Sequence, residues 1–134
     1  MRKALTLLIA LLSANLALAQ NTPLACQVDA AAGLKWETGL WKTTRFIERK
    51  FILILSGTNL TKESVSKVMQ GVPADFVTCT KNSDSSIFCS APYGDVLFFN
   101  PKTYQGGRAT IFGSTQNGDN RDTIAAEAFT YQPY

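Results

Sequence analysis

Turn-forming residues interrupt this chain about every ten positions, and that spacing constrains the fold more than any other feature. The most apolar run, Phe51-Ile52-Leu53-Ile54-Leu55, lies between Glu48-Arg49-Lys50 and Ser56-Gly57-Thr58-Asn59. Five apolar residues between polar flanks suit a strand, and the lack of alternation predicts cover on both faces. Further extended runs follow at Phe76–Thr80, Ile87–Ala91, Val96–Phe99 and Arg108–Gly113. The runs are separated by Pro92-Tyr93-Gly94-Asp95 and by an eight-residue loop, Asn100 to Gly107. Thr123 to Tyr131 alternates, with Thr123, Ala125, Glu127, Phe129 and Tyr131 on one face. Such a series predicts a mainly β fold: a small antiparallel β-barrel or strongly curved sheet with one short α-helix packed against it. An open sheet carrying the helix is the alternative.

One segment reads as that helix. Thr61 or Asn59 offers an N-cap, and Val65, Val68 and Met69 form a stripe. Glu63 and Lys67 pair four apart, while Gly71 and Pro73 end the helix. Two turns cannot stand alone, so the stripe must cover a face or an open end of the sheet.

The first residues, MRKALTLLIALLSANLALAQ, carry Arg2 and Lys3, then an apolar stretch, then Ala17-Leu18-Ala19. This order marks a cleaved signal peptide over 1–19, with a single small β-rich domain at 20–134. A lipid-modified Cys26 fits poorly, because polar Gln20-Asn21-Thr22 separates it from the apolar stretch. Gln20 to Ala25 reads as a flexible lead-in. Taking 19 residues from 134 leaves 115, and 11 Lys plus Arg against 10 Asp plus Glu. The net charge of +3 thus falls to +1, and no basic stripe points to nucleic acid. The expected location is periplasmic or secreted, with no transmembrane span once the signal is removed.

Export permits disulfides. Of Cys26, Cys79 and Cys89, the last two are ten apart across the polar stretch Lys81–Ser86, and a hairpin would join them. Cys26 could instead bridge to one of them. Either way one thiol is left over, which would allow a dimer through that cysteine.

The chain has no histidine, so imidazole-based triads and the commonest zinc ligand are excluded. No cofactor and no metal site is expected. Asp119, Asn120 and Asp122 supply too few oxygens for calcium, and Arg121 sits among them. Asn59-Leu60-Thr61 matches a glycosylation acceptor but also serves as a helix start. The remaining acid–base groups are carboxylates: Glu37, Glu48, Asp95 and Glu127.

Both tryptophans sit in KWETGLW, Lys35 to Trp41. With Thr38-Gly39 as a turn, Trp36 faces Trp41; in one continuous strand they point to opposite faces. Aromatic rings near basic groups suit partner contacts, so Trp36, Trp41, Tyr104, Lys102 and Arg108 are the candidate binding residues, with Tyr93 and Arg121 as further loop groups. Tyr104 either meets a partner or folds back to cap a barrel end. The composition points to a non-enzymatic exported module that binds or inhibits, contacting a protein or a glycan. The alternatives are a small carboxylate-dependent hydrolase and an envelope structural or assembly protein.

Overall fold

The structure, a computed structural model, describes residues 21–69, 71–92, 94–111 and 123–134, without the side chains of Trp36 and Thr123. The expected signal peptide, Tyr93 and the Asp119–Asp122 cluster with Arg121 lie outside the described residues. The described residues form nine strands: β1 Asn21–Glu37, β2 Leu40–Arg45, β3 Lys50–Ser56, β4 Asn59–Leu60, β5 Thr78–Lys81, β6 Ile87–Ser90, β7 Val96–Asn100, β8 Gln105–Thr110 and β9 Thr123–Pro133. Helix α1, Lys62–Val68, follows β4, and a 3-10 turn covers Ala74–Phe76.

All pairings are antiparallel. The order is β4-β3-β1-β9-β8-β7-β6-β5, and β2 also joins β1. The two ends of the order, β4 and β5, approach each other, so the sheet is a nearly closed barrel. The core inside it is built from Leu24, Cys26, Val28, Leu53, Leu97, Phe99, Phe129 and Tyr131, with Val65, Val68 and Met69 of α1 added.

Three local expectations change. The expected lead-in is strand from Asn21 onward, with Gln20 outside the described residues. Leu24 and Cys26 pair with β3 on one side and β9 on the other, and both are buried. The segment after β7 is not an eight-residue loop. Asn100 pairs with Gln105, so Gly106 and Gly107 belong to β8. The Asn100 side chain accepts from Lys102 N–H at 2.9 Å, and Tyr104 closes the turn at φ 55°. Gly106 is required there, because a Cβ would lie 2.3 Å from the Phe129 ring. Lastly, β3 is covered on one face only: Leu53 and Leu55 are buried, while Ile52 stays exposed.

The helix solves an edge problem. β4 is two residues long and leaves most of the outer edge of β3 unpaired. The Ser64 hydroxyl fills the gap, accepting from Ile54 N–H at 2.7 Å and donating to Ile54 C=O at 3.3 Å. Thr61 caps the helix through its side chain, and Glu63 meets Lys67 at 2.6 Å. A side chain thus stands where a neighbouring strand would otherwise satisfy the backbone.

Cys79 and Cys89 are direct cross-strand partners and form the disulfide. Asn82, Asp84 and Ser86 bond to one another in the connecting loop and hold the hairpin closed. Cys26 is the unpaired cysteine, and it is buried.

Candidate functional site

Alternation sends Leu97, Phe99, Phe129 and Val28 inward. Their neighbours in sequence must therefore face out. The strand register lines these up in rows. Phe88 of β6 pairs with Phe98 of β7, Phe98 with Gly107 of β8, Gly107 with Ala128 of β9, and Ala128 with Ala30 of β1. One row along, Val96, Ala109, Ala126 and Ala32 are partnered in the same way. Two adjacent rows of this outer surface are therefore apolar: two phenylalanines, each 39% exposed, stand beside a floor of methyl groups and glycine. The next row, Asn100, Gln105 and Thr130, is polar.

A groove of about 550 Å³ lies over the β1–β9 half of that floor. Residues 30–32 and 126–128, five alanines and Glu127, line it, and Asp29, Arg45, Phe46 and Glu48 form the rim. It owes its depth to the short side chains and to the bend in β1. Asp29 is an extra residue between paired Val28 and Ala30, a bulge that kinks the strand. Alanine is a weak strand former, so four exposed alanines on paired strands are not explained by propensity.

The inner face carries its own polar group. Glu127 Oε2 accepts from Arg49 at 3.0 Å and Arg108 at 3.3 Å. The Glu127 side chain is 10% exposed and that of Arg108 14%. Arg49 reaches in over the Phe51 ring, 5.1 Å from its centre. Burial pulls the Arg108 guanidinium below its ordinary range, and the Glu127 carboxylate works against that. Arg108 Nε has no hydrogen-bond partner among the described residues. Glu127 is thus a counter-ion for two guanidiniums and ties β9 to β8 and to the start of β3.

The sequence candidates do not converge on one place. Thr38 and Gly39 form the turn, both at positive φ, and the backbone register pairs Trp36 with Trp41. This hairpin is at one end of the barrel. Tyr104 and Lys102 are in the β7–β8 turn at the other end. The Tyr104 ring stands edge-on to Tyr131 at 5.8 Å while remaining half exposed, so it lies back over the barrel end. Arg108 points inward to Glu127, away from both. Glu37 holds Lys35 and Lys42 at 3.0 and 3.5 Å on the hairpin. These lysines lower its pKa, the Lys35 bond most.

Sequence reasoning missed the outer face entirely. Its only early signals were the alanines in Asp29-Ala30-Ala31-Ala32 and in Ile124-Ala125-Ala126-Glu127-Ala128, which lie far apart in the chain. Among the described residues, no group of three His, Cys, Asp or Glu could hold a metal, and no helix is long and apolar enough to cross a membrane. Comparison with known proteins returns no match to a family model, a curated protein or a solved structure.

Proposed function

We propose that this chain is an exported, non-catalytic module that binds another protein through the outer face of β6, β7, β8, β9 and β1. The observation that carries the reading is the row Phe88–Phe98–Gly107–Ala128–Ala30, an aromatic ridge beside an apolar trough. The core is already filled by other rings, so these two phenylalanines are not needed inside. Contiguous apolar patches of a few hundred Å² on a protein surface commonly mark contact sites. A protein suits the trough better than a glycan. Sugar hydroxyls need matched hydrogen-bond groups, and the floor offers methyls. Asp29, Arg45 and Glu48 on the rim can orient an apolar segment that carries both charges.

The disulfide is consistent with a compartment outside the cytoplasm. Two of the four carboxylates a hydrolase could use are otherwise engaged: Glu127 by two arginines and Glu37 by two lysines.

The test is affinity capture from an envelope extract with wild type, Ala128→Arg and Phe98→Ser. Both substitutions are on the outer face, so melting should change little. Partners should be recovered with the wild type and lost with both variants. Recovery of the same partners with folded Ala128→Arg overturns the reading.

A further inference from the structure

Among the described residues, β2 bonds to β1 and to no other strand. Ser64 and β4 occupy the edge of β3 from Ile54 to Ser56, and β4 and β5 approach each other. Among the described residues, β2 is therefore the longest stretch of strand edge with no strand paired to it, six residues, a mid-length strand by general standards. Natural proteins rarely leave such an edge without an occupant or a defence.

The hairpin geometry shows which groups it offers. In a two-residue turn the flanking pair, here Glu37 and Leu40, exchanges backbone hydrogen bonds. Bonding then alternates, so Leu40, Lys42 and Thr44 bond to β1. Phe46 continues the series, its N–H donating to Ala31 C=O at 3.3 Å. The N–H and C=O of Thr43 consequently point away from β1, along the open edge.

We propose that the occupant of this edge is β2 of a second copy, paired antiparallel about a two-fold axis at Thr43. The axis stands normal to the sheet, so opposed residues share a face. The strand is self-complementary in that register. Thr43 meets Thr43 of the second copy, a favourable cross-strand pair. Lys42 meets Thr44, Trp41 meets Arg45, and Leu40 meets Phe46 of the second copy. The pairs are thus hydroxyl with hydroxyl, cation with hydroxyl, indole with guanidinium, and apolar with apolar. No like charges are opposed. Lys42, the residue type that most often blunts a sheet edge, is already drawn back to Glu37 on its own hairpin at 3.5 Å. Shifting the centre to Lys42 or Thr44 would destroy this match. A centre at Lys42 opposes two ammonium groups, and one at Thr44 sets Lys42 against Phe46.

The dimer joins two sheets edge to edge and leaves the Phe88–Ala30 face of each copy uncovered on the same side. It leaves the Phe88–Phe98–Gly107–Ala128–Ala30 row free, although it shares Arg45 and Phe46 with the rim of the groove, and it needs no thiol, since Cys26 stays in the core. An edge pair of this length buries little area, so the association should be weak and concentration-dependent.

The experiment is sedimentation equilibrium over a wide concentration range, with reductant present. Wild type should self-associate reversibly to a dimer. Thr43→Pro removes the N–H that faces the edge and none that faces β1, so it should keep the wild-type melting temperature and weaken the dimer at least tenfold. Thr43→Cys should cross-link to itself under mild oxidation much faster than Lys42→Cys or Thr44→Cys. This second measurement decides the register even if the proline variant folds poorly. A wild type that stays monomeric to millimolar concentration overturns the proposal. So does a dimer that reductant dissolves, or cross-linking that is no faster at position 43 than at its neighbours. In each of these cases capture of partners through Phe98 and Ala128 would be unaffected.

Discussion

Neutralising Glu127 should destabilise the barrel far more than removing an exposed acid. Glu127→Gln keeps the side-chain volume and takes away only the charge, which leaves Arg49 and Arg108 without their shared counter-ion. Removing one member of a buried ion pair costs about 3–5 kcal/mol, because the remaining charge is desolvated and unpaired. Here the cost falls at or below the lower end, since the Arg49 side chain is 33% exposed and can turn to water. Arg108, at 14%, cannot do so easily, and its Nε already lacks a partner. The expected loss is about 2–3 kcal/mol, a large part of the ~5–15 kcal/mol that holds such a domain together. In thermal terms this is about 10 °C for a chain of this size. Urea denaturation followed by far-UV circular dichroism gives the number directly. The companion variant combines Glu127→Leu with Arg108→Met, which removes the charge and its main buried partner together. It should return to within about 1 kcal/mol of wild type, as apolar replacements of buried ion pairs often do. A loss under 0.5 kcal/mol for Glu127→Gln, or a double variant as unstable as the single one, would show that the triad is effectively solvated and the argument wrong.

Replacing Cys79 and Cys89 together by Ala should cost about 2.7 kcal/mol by loop-closure entropy for a ten-residue separation, read as a lower urea midpoint. Ser64→Ala strands the Ile54 N–H at the edge of β3 and should cost about 1–3 kcal/mol, with faster hydrogen exchange along β3; unchanged exchange there would contradict the edge-closing role. Burial pushes the Cys26 thiol from 9.0 up to about 11. The folded core thus holds the neutral thiol while the unfolded chain releases its proton, so the stability that this group contributes is full below about pH 9 and declines between pH 9 and 11. Cys26→Ala should flatten the alkaline loss of stability in that window, and an unchanged slope would rule Cys26 out as its source. Burial also raises Tyr131 to about 12, so a shallower decline above pH 10 should persist in both proteins.

Local chemistry made much of this molecule readable from its sequence. Turn residues marked most strand positions, Thr61 marked the helix start, although the helix stops at Val68 short of the expected cap at Gly71, and ten residues between two cysteines implied a hairpin disulfide. Period-two alternation also put Glu127 on the face of Phe129 and Tyr131, where the structure has it. Each inference uses residues close together in the chain. The outer apolar face could not be found that way. Phe88, Phe98, Gly107, Ala128 and Ala30 become one row only after four strand registers are set, and each register depends on which side chains fill the common interior. The same holds for the inward aim of Arg108, a candidate binding residue by sequence, which its pairing with Leu97 and Glu127 puts on the core side. It holds too for Asn21–Ala25, polar enough to read as a tail, yet strand because β3 pairs along all of it and β9 joins from Leu24 onward. Periodicity determines what a segment can be. Which residues from distant segments share a surface is a property of the closed barrel, because only closure determines which face of every strand is inside.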